Sequence, residues 1–474
     1  MVKKLNMKIL RKTLITMMLA AAVAAPAQSL DEARALAEDG SYDEAIAMLR
    51  TVTAESPKDN ASAQLLGELL WESGHDAEAT EVLEGLRKKG YRDATLQLAR
   101  IALSRYNLSE ARTLLAAYRK SLRSGKKTVA EDLSGDLESQ IEKAETMLDR
   151  VQNIEVIDSV DVDADEFFKK YPVSSAAGKL LSASALPKGF PSGSATMVHR
   201  TESGNKMVWA APDSEGVYQL YGSSSLLNNE WETPEQLGEE LGDGGDALYP
   251  YLMPDGITLY FANDGENSLG GFDIFQTRRG DDGFLQSANV GMPFNSTAND
   301  YLLVIDEYSG AGWFATDRNR HPGKITIYTF IPQELRVNVD VDSPDLQSLA
   351  RLDNIAKTQK ADTDYTALRR TIAQNSKMQS NDKSTPDFLL SLPGNRTYTS
   401  LSDFRSDRSR TAMENYIKKE TIYSQNLVKL QQLREAYAKG DRSQAATIQQ
   451  VENQVDKARE ELQNLRNSVI ELEK

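Results

Sequence analysis

Apolar residues in the first third of the chain recur every three to four positions, and that recurrence itself repeats. The segments "ARALAEDGSYDEAIAMLRTVTAESP" and "SAQLLGELLWESGHDAEATEVLEGL" each read as two amphipathic helices broken at a glycine. Gly40 and Gly74 are 34 residues apart, as are Ala45 and Ala79, with Leu49 and Leu83 one turn further on. A third unit, "ATLQLARIALSRYNLSEARTLLAAY", continues the pattern with Ala111 and Leu115. A period of about 34 residues predicts stacked helix-turn-helix units, in which the small residues let paired helices approach. Val129–Arg150 reads as the polar-faced helix that closes the stack.

From Ile154 to about Pro332 the period changes to two, in short strands separated by glycine turns. "MVWAA", "LYFAN" and "GWFAT" align, with Trp209, Phe261 and Phe314 spaced by 52 and 53 residues. The next strands align through Tyr218, Phe272 and Ile325, spaced by 54 and 53, and Gly204, Gly256 and Gly310 occupy the preceding turns. An outer strand recurs at Trp231 and Phe284. Such a period predicts a β-propeller, whose single blades cannot bury both faces alone. Three copies do not close a ring. The segments "IEVIDSVDV", "ATMVHR", "RVNVDVD" and "DFLLSLPGNRTYTSL" are the candidates for the rest, giving about five blades closed by strands from both ends.

After Ser343 the chain is polar and then helical, and "KTQKADTDYTALRRTIAQNSKMQSNDKSTP" reads as a mobile connector. It ends in a seam: Ile448, Val451, Val455, Ala458, Leu462, Leu465, Val469 and Leu472 alternate spacings of three and four. A preceding helix carries Met413, Tyr416, Tyr423, Leu427, Leu430 and Tyr437, and the two predict an antiparallel coiled-coil hairpin. The expected organisation is a multi-domain α+β chain. It comprises a leader at 1–27, helical repeats at 28–150, the propeller at 151–342, a linker with a hairpin at 343–400, and the helical hairpin at 401–474.

The helical units resemble tetratricopeptide repeats, which implies a superhelix whose concave face holds a partner peptide or docks on the next domain. "YPYLMPDGITLYFANDG", "LGGFDIF" and "NVGMPFNSTAND" resemble the WD-like, TolB-related propeller repeats of Bacteroidetes envelope proteins. In that family the combination implies a periplasmic role near the outer membrane, serving a secretion or maintenance assembly. The OmpA-like domain that would bring peptidoglycan binding is not found here, and a coiled coil stands in its place.

Charge and composition sharpen this picture. Lys3, Lys4, Lys8, Arg11 and Lys12 precede the apolar run "LITMMLAAAVAA", and Ala25-Pro26-Ala27 supplies a cleavage pattern, so a secretory leader is expected. A membrane anchor is the alternative, but the apolar run is shorter than the roughly 20 residues a spanning helix needs. Removing that leader takes the net charge from −15 to −20, since it holds five basic and no acidic residues. So acidic a chain is unsuited to neutralising nucleic-acid phosphates. Cysteine is absent, which excludes disulfides and thiol chemistry.

Candidate chemistry is sparse. His75, His199 and His321 share no motif, and no serine-hydrolase, zinc-protease or phosphate-loop signature occurs. The acidic stretch "NDGENSLGGFD" lacks the order of a calcium loop and reads as a turn. Trp209, Tyr260, Phe261, Trp313 and Phe314 lie within repeated strands and read as core rather than as a sugar platform. No catalytic, metal or cofactor residue is assigned, and the chain reads as a non-enzymatic scaffold for envelope proteins. The alternative is a propeller that binds a glycan or peptidoglycan fragment. Partner-binding candidates are the loop residues Asp264, Asp317, Arg318 and Arg320 and the seam residues Val455, Leu462, Leu465 and Val469.

Overall fold

The computed structural model describes residues 26–122, 127–226, 231–238, 241–242, 244–280, 283–361, 363–380, 390–392, 396–398, 400–438 and 442–473. The basic and apolar parts of the expected leader lie outside them. The chain divides into two compact units, one up to Ile372 and one from Ala373 onward.

The first unit opens with helices α1 (Pro26–Glu38), α2 (Tyr42–Glu55), α3 (Asn60–Glu72), α4 (Asp76–Lys88), α5 (Arg92–Ser104), α6 (Leu108–Ser121) and α7 (Lys127–Leu148). Consecutive helices pack in pairs. Ala45, Ala79 and Ala111 are fully buried at the contacts, and a Cβ at Gly67 would lie 2.7 Å from Leu83 Cγ. Asp59 and Asn107 cap α3 and α6 by accepting from Ser62 N and Glu110 N. Gly40 and Gly74, both at φ +81°, turn the chain between the helices of the first two pairs. In the third pair that position is Tyr106, at φ 56°, a left-handed conformation costly to a bulky side chain.

Strand β1 (Glu155–Asp163) is followed by three antiparallel sheets. The first contains β2 (Lys179–Ser182), β3 (Met197–Arg200), β4 (Lys206–Pro212), β5 (Tyr218–Ser224) and β6 (Glu235–Gln236). The second contains β7 (Ala247–Leu252), β8 (Thr258–Asn263), β9 (Asp273–Gly280), β10 (Gly283–Phe284) and β11 (Ala288–Asn289). The third contains β12 (Asp300–Asp306), β13 (Ala311–Thr316) and β14 (Lys324–Ile331), and β1 completes it by pairing with β14.

The repeat is visible in the side chains. Trp209 stacks on Tyr221, Phe261 on Phe275 and Phe314 on Tyr328, each pair directly cross-strand, with centroids 6.1, 6.0 and 5.3 Å apart. Phe261 and Phe275 share a core with the first sheet, and Phe314 and Tyr328 with the second, whereas Trp209 and Tyr221 cluster with Phe190 on the first sheet's other side; β7 packs on the first sheet and β12 on the second. A one-turn helix over Phe167–Lys170 fills the space beside the inner strands. Phe167 packs 5.1 Å from Tyr249 and 5.6 Å from Tyr301, and Tyr171 Oη donates to Leu302 O at 2.6 Å.

The expectation of about five blades differs from what is present, because among the described residues there are three sheets of four or five strands. The reason lies in where the spare segments go. "IEVIDSVDV" becomes β1 and "ATMVHR" becomes β3, both within these sheets. "RVNVDVD" makes only an isolated bridge, Gln152 with Asn338. The late hairpin, β15 (Leu390–Leu392) with β16 (Arg396–Tyr398), belongs to the second unit.

The stretch expected to be a mobile connector is tied down over its first part, from Lys357 to Arg369, and the residues before it are ordered too. Helix α8 (Leu346–Arg351) buries Ala350, and the following turn returns to β1, where Thr358 Oγ1 accepts from Val156 N at 2.9 Å. Lys360 and Tyr365 both bind Glu155. A few well-placed side chains suffice where hydrophobic content alone predicts mobility. Helix α9 (Thr366–Ser380) then leads into the second unit.

There, α10 (Asp407–Ala438) and α11 (Ala445–Leu472) pack together, Met413 sharing a core with Val469 and Leu430 with Val451 and Val455. Lys419 Nζ lies 2.6 Å from Glu461 Oε2. These pairs make the helices antiparallel. Near the tip of α11, the Glu473 carboxylate accepts from Tyr398 Oη at 2.8 Å and from Arg405 N at 3.1 Å.

The Gly270-Gly271 pair of "LGGF" marks a close approach, because a Cβ at Gly270 would collide with Ala298 O and Thr297 C. By contrast, Gly85 lies within α4 with nothing near its would-be Cβ. Gly270→Ala is therefore expected to lower unfolding free energy by roughly 1–3 kcal/mol. Gly85→Ala should raise it by about 0.5–1 kcal/mol. Urea titration of the two variants checks both signs.

Candidate functional site: the junction of helices and sheets

The loops proposed for partner binding lie where the helical stack meets the sheets, and hydrogen bonding explains their repetition. Asp246 N donates to Asp264 Oδ1 at 2.7 Å, while Asp246 Oδ1 accepts from Tyr218 N of the preceding sheet at 2.8 Å. Fifty-three residues later, Asn299 N donates to Asp317 Oδ1 at 2.8 Å and Asn299 Oδ1 accepts from Phe272 N at 3.1 Å. Each latch ties the start of an inner strand to its own sheet and to the one before. Asn299 Nδ2 also donates to Asp317 Oδ2 at 2.7 Å. Burial holds the Asp317 carboxyl above the usual range, against the lowering effect of those Asn299 bonds.

Arg318 lies deeper. Its side chain is 6 % exposed and sits 2.7 Å from Asp300 Oδ1, a carboxylate with no exposed side-chain surface. The guanidinium also donates to Pro293 O at 2.8 Å and Phe294 O at 2.7 Å, and its Nε donates to Thr316 Oγ1 at 3.1 Å. The other Asp300 oxygen accepts from Ser296 N and Oγ at 2.6 and 2.8 Å. The pair is fully satisfied, which is the condition for burying two charges.

Beside it, Asp273 is fully buried and accepts from Leu269 N at 2.9 Å and Asn289 Nδ2 at 2.7 Å. Burial, and then the neighbouring Asp300 charge, push its carboxyl up to about 7. Tyr106, 2 % exposed, comes from the end of α5 into the same electrostatic neighbourhood.

Arg320 connects the two layers directly. It forms an ion pair with Asp76 at the start of α4, and its guanidinium lies 4.9 Å from the centre of the Trp71 ring. Lys143 of α7 donates to Ser268 O at 3.2 Å. Leu269, Met292 and Ala350 share one core with α4–α7. The stack therefore docks on the sheet loops.

The structure thus brings Asp264, Asp317, Arg318 and Arg320 to one end of the sheets and engages each in contacts within the chain. The seam residues lie in the second unit: Val455, Leu462 and Val469 are 3, 9 and 0 % exposed, and Leu465 is half-buried. That seam faces α10 of the same chain. The three histidines stay apart. His199 is buried between Ala177 O and Leu252 N, and burial pushes it down to about 4. His75 precedes α4, and His321 pairs with Asp161. Among the described residues no group of three or more His, Cys, Asp or Glu could hold a metal ion. No helix among them is long and apolar enough to cross a membrane.

Sequence reasoning missed Tyr106 and Asp300, and read Asp273, at the end of "NDGENSLGGFD", as part of a turn. Tyr106 had a signal: it stands 32 residues after Gly74, in the turn where glycine is otherwise used. Asp300 and Asp273 had none, since their role depends on Arg318 and on burial.

Residues 36–94 match the tetratricopeptide-repeat family. No curated protein and no solved structure matches the chain. The N-terminal helices are thus tetratricopeptide repeats, a class that mediates protein–protein contact, followed by a strand-rich region of curled sheets.

Two expectations follow. Arg318→Gln leaves Asp300 buried without its cation and should cost about 3–5 kcal/mol of stability in urea titration. The second concerns pH: the folded-state value of Asp273 is raised, so its contribution is fully present below the unfolded value of about 4 and lost as pH rises through about 7. Asp273→Asn should accordingly gain stability relative to the parent between pH 5 and pH 8, and a constant difference would refute the assignment.

Proposed function

We propose that this protein is a non-enzymatic scaffold that holds other proteins in the bacterial cell envelope. The observation that carries this reading is the tetratricopeptide stack, a fold whose use is protein contact. Its helices hold the sheet loops through Leu269, Met292, Ser268 and Arg320, which supports a rigid platform rather than an isolated groove. We read the three sheets as blades of a β-propeller, supported by the repeated aromatic stacks and latches and by the completion of the third sheet by β1. The two long helices are read as a coiled-coil arm. The basic and apolar N-terminus supports export to the periplasm, and the resemblance of the strand repeats supports a place beside the outer membrane.

Phe167 and Tyr171 fill the space beside the inner strands, which favours a scaffold over a ligand-binding channel. The test is an affinity purification from crosslinked envelopes with the full chain and with a chain ending at Ile372. Defined envelope proteins are expected with the full chain, and loss of some with the shorter one would assign them to the helical arm. If neither recovers protein while purified peptidoglycan fragments bind, the scaffold reading fails.

A further inference from the structure

The segment Gln333–Val341, after β14, runs antiparallel to residues 151–153. Asn153 N donates to Val337 O at 2.8 Å and Val339 N donates to Val151 O at 2.8 Å, on either side of the Gln152–Asn338 bridge. That pattern turns the backbone N–H and C=O of Asn338 away from residue 152, and those of Arg336 and the N–H of Asp340 with them. Among the described residues these N–H groups have no hydrogen-bond partner, nor do the carbonyls of Arg336 and Asn338. The strand is held in place from behind: Arg336 donates to Val290 O at 3.1 Å and Arg150 O at 2.6 Å, and Gln333 Nε2 donates to Asn153 O at 2.7 Å.

Exposed apolar residues cluster here: Val337 within the extended stretch, Leu335 at the bend before it and Val341 in the turn after it are 53, 79 and 52 % exposed, three of the ten exposed large hydrophobics of the described residues within seven positions. An anchored strand with an open edge and an uncovered apolar face is a template for another strand.

We propose that the edge pairs with the same edge of a second copy of this chain, antiparallel about a two-fold axis through Asn338. The sequence "LRVNVDV" is complementary to itself in that register. Asn338 meets Asn338, and Val337 meets Val339 of the second copy. Leu335 and Val341 of the second copy lie together at each end of this short ladder, which covers their exposed surfaces. Arg336 stands opposite Asp340 of the second copy, placing unlike charges across the ladder. The open backbone groups alternate at 336, 338 and 340, as the hydrogen-bonded pairs of this register require, giving about four bonds, two between the Asn338 residues and one from each Asp340 N–H to the facing Arg336 carbonyl, since the Asp340 carbonyl already accepts from Ser343 N at 2.9 Å. A heterologous strand would need its own complement to Arg336 and Asp340, whereas a second copy supplies it. The ladder is short, so the dimer is concentration-dependent.

The absence of cysteine makes the register directly measurable in the full chain. In a hydrogen-bonded antiparallel pair the Cα atoms lie about 5.5 Å apart, within disulfide range. Asn338→Cys is expected to close a disulfide-linked dimer under mild oxidation. Leu335→Cys should crosslink poorly with itself but efficiently when mixed with Val341→Cys. In sedimentation equilibrium of the cysteine-free chain, mass should rise with concentration. Leu335→Asp with Val337→Asp should weaken association at least tenfold, as should Asn338→Pro, which removes a hydrogen on the open side only. Thermal melts of these exposed-site variants confirm that they remain folded. A chain that stays monomeric throughout overturns the proposal, as does association untouched by these changes. Efficient self-crosslinking of Leu335→Cys would overturn the register.

Discussion

The arrangement of the first unit depends on a buried charge pair, Arg318 with Asp300. Taking two ions out of water is expensive, and it is tolerated here because carbonyls of Pro293 and Phe294 and the Ser296 donors satisfy what the pair leaves over. Those groups come from the loop before the third sheet and from the loop after its second strand. The pair thus fixes both loops, and these carry Met292 and Arg320 to the helices. Packing of the stack on the sheets is a consequence of geometry set among the strands.

Tyr106 shows the same dependence from the helical side. Its equivalents are glycines, whose left-handed conformation costs little. A tyrosine there accepts backbone strain, and in return its ring is buried where the helices meet the sheet loops. The third helical pair thus docks through its turn, while the second, which also docks through Trp71 and Asp76, retains the glycine turn of the first. This is why the third unit lacks the turn glycine of the first two.

Periodic features were legible in the sequence because they arise from local physics. Glycines 34 residues apart and aromatics 52 to 53 apart report the turn and the cross-strand stack, and each copy repeats the same constraint. Asp264 and Asp317 were visible for the same reason, yet a repeated loop carboxylate reads equally as a binding group or as a latch. Only the positions of Asp246 and Asn299 distinguish the two. The destination of the unrepeated segments was not legible. "RVNVDVD" and the hairpin at Leu390–Tyr398 have strand patterns, but strand pattern specifies a face and not a neighbour. The connector after Ser343 was misread because composition averages over the few residues, Thr358 and Tyr365 among them, that hold it to β1.

The pairing of β1 with β14 joins the two ends of the strand region, with Asp161 bonded to Thr326 across 165 residues of sequence. Such a clasp cannot form until β14, its second half, has been made. The loop it closes is long, and long-range strand pairing is slow to find. The outer edge of the third sheet consequently stays unpaired until synthesis has passed Ile331, and an interval of exposure is built into the connectivity. Once shut, the same clasp gives the opposite property: fragments produced by a single cut between the sheets would remain held together.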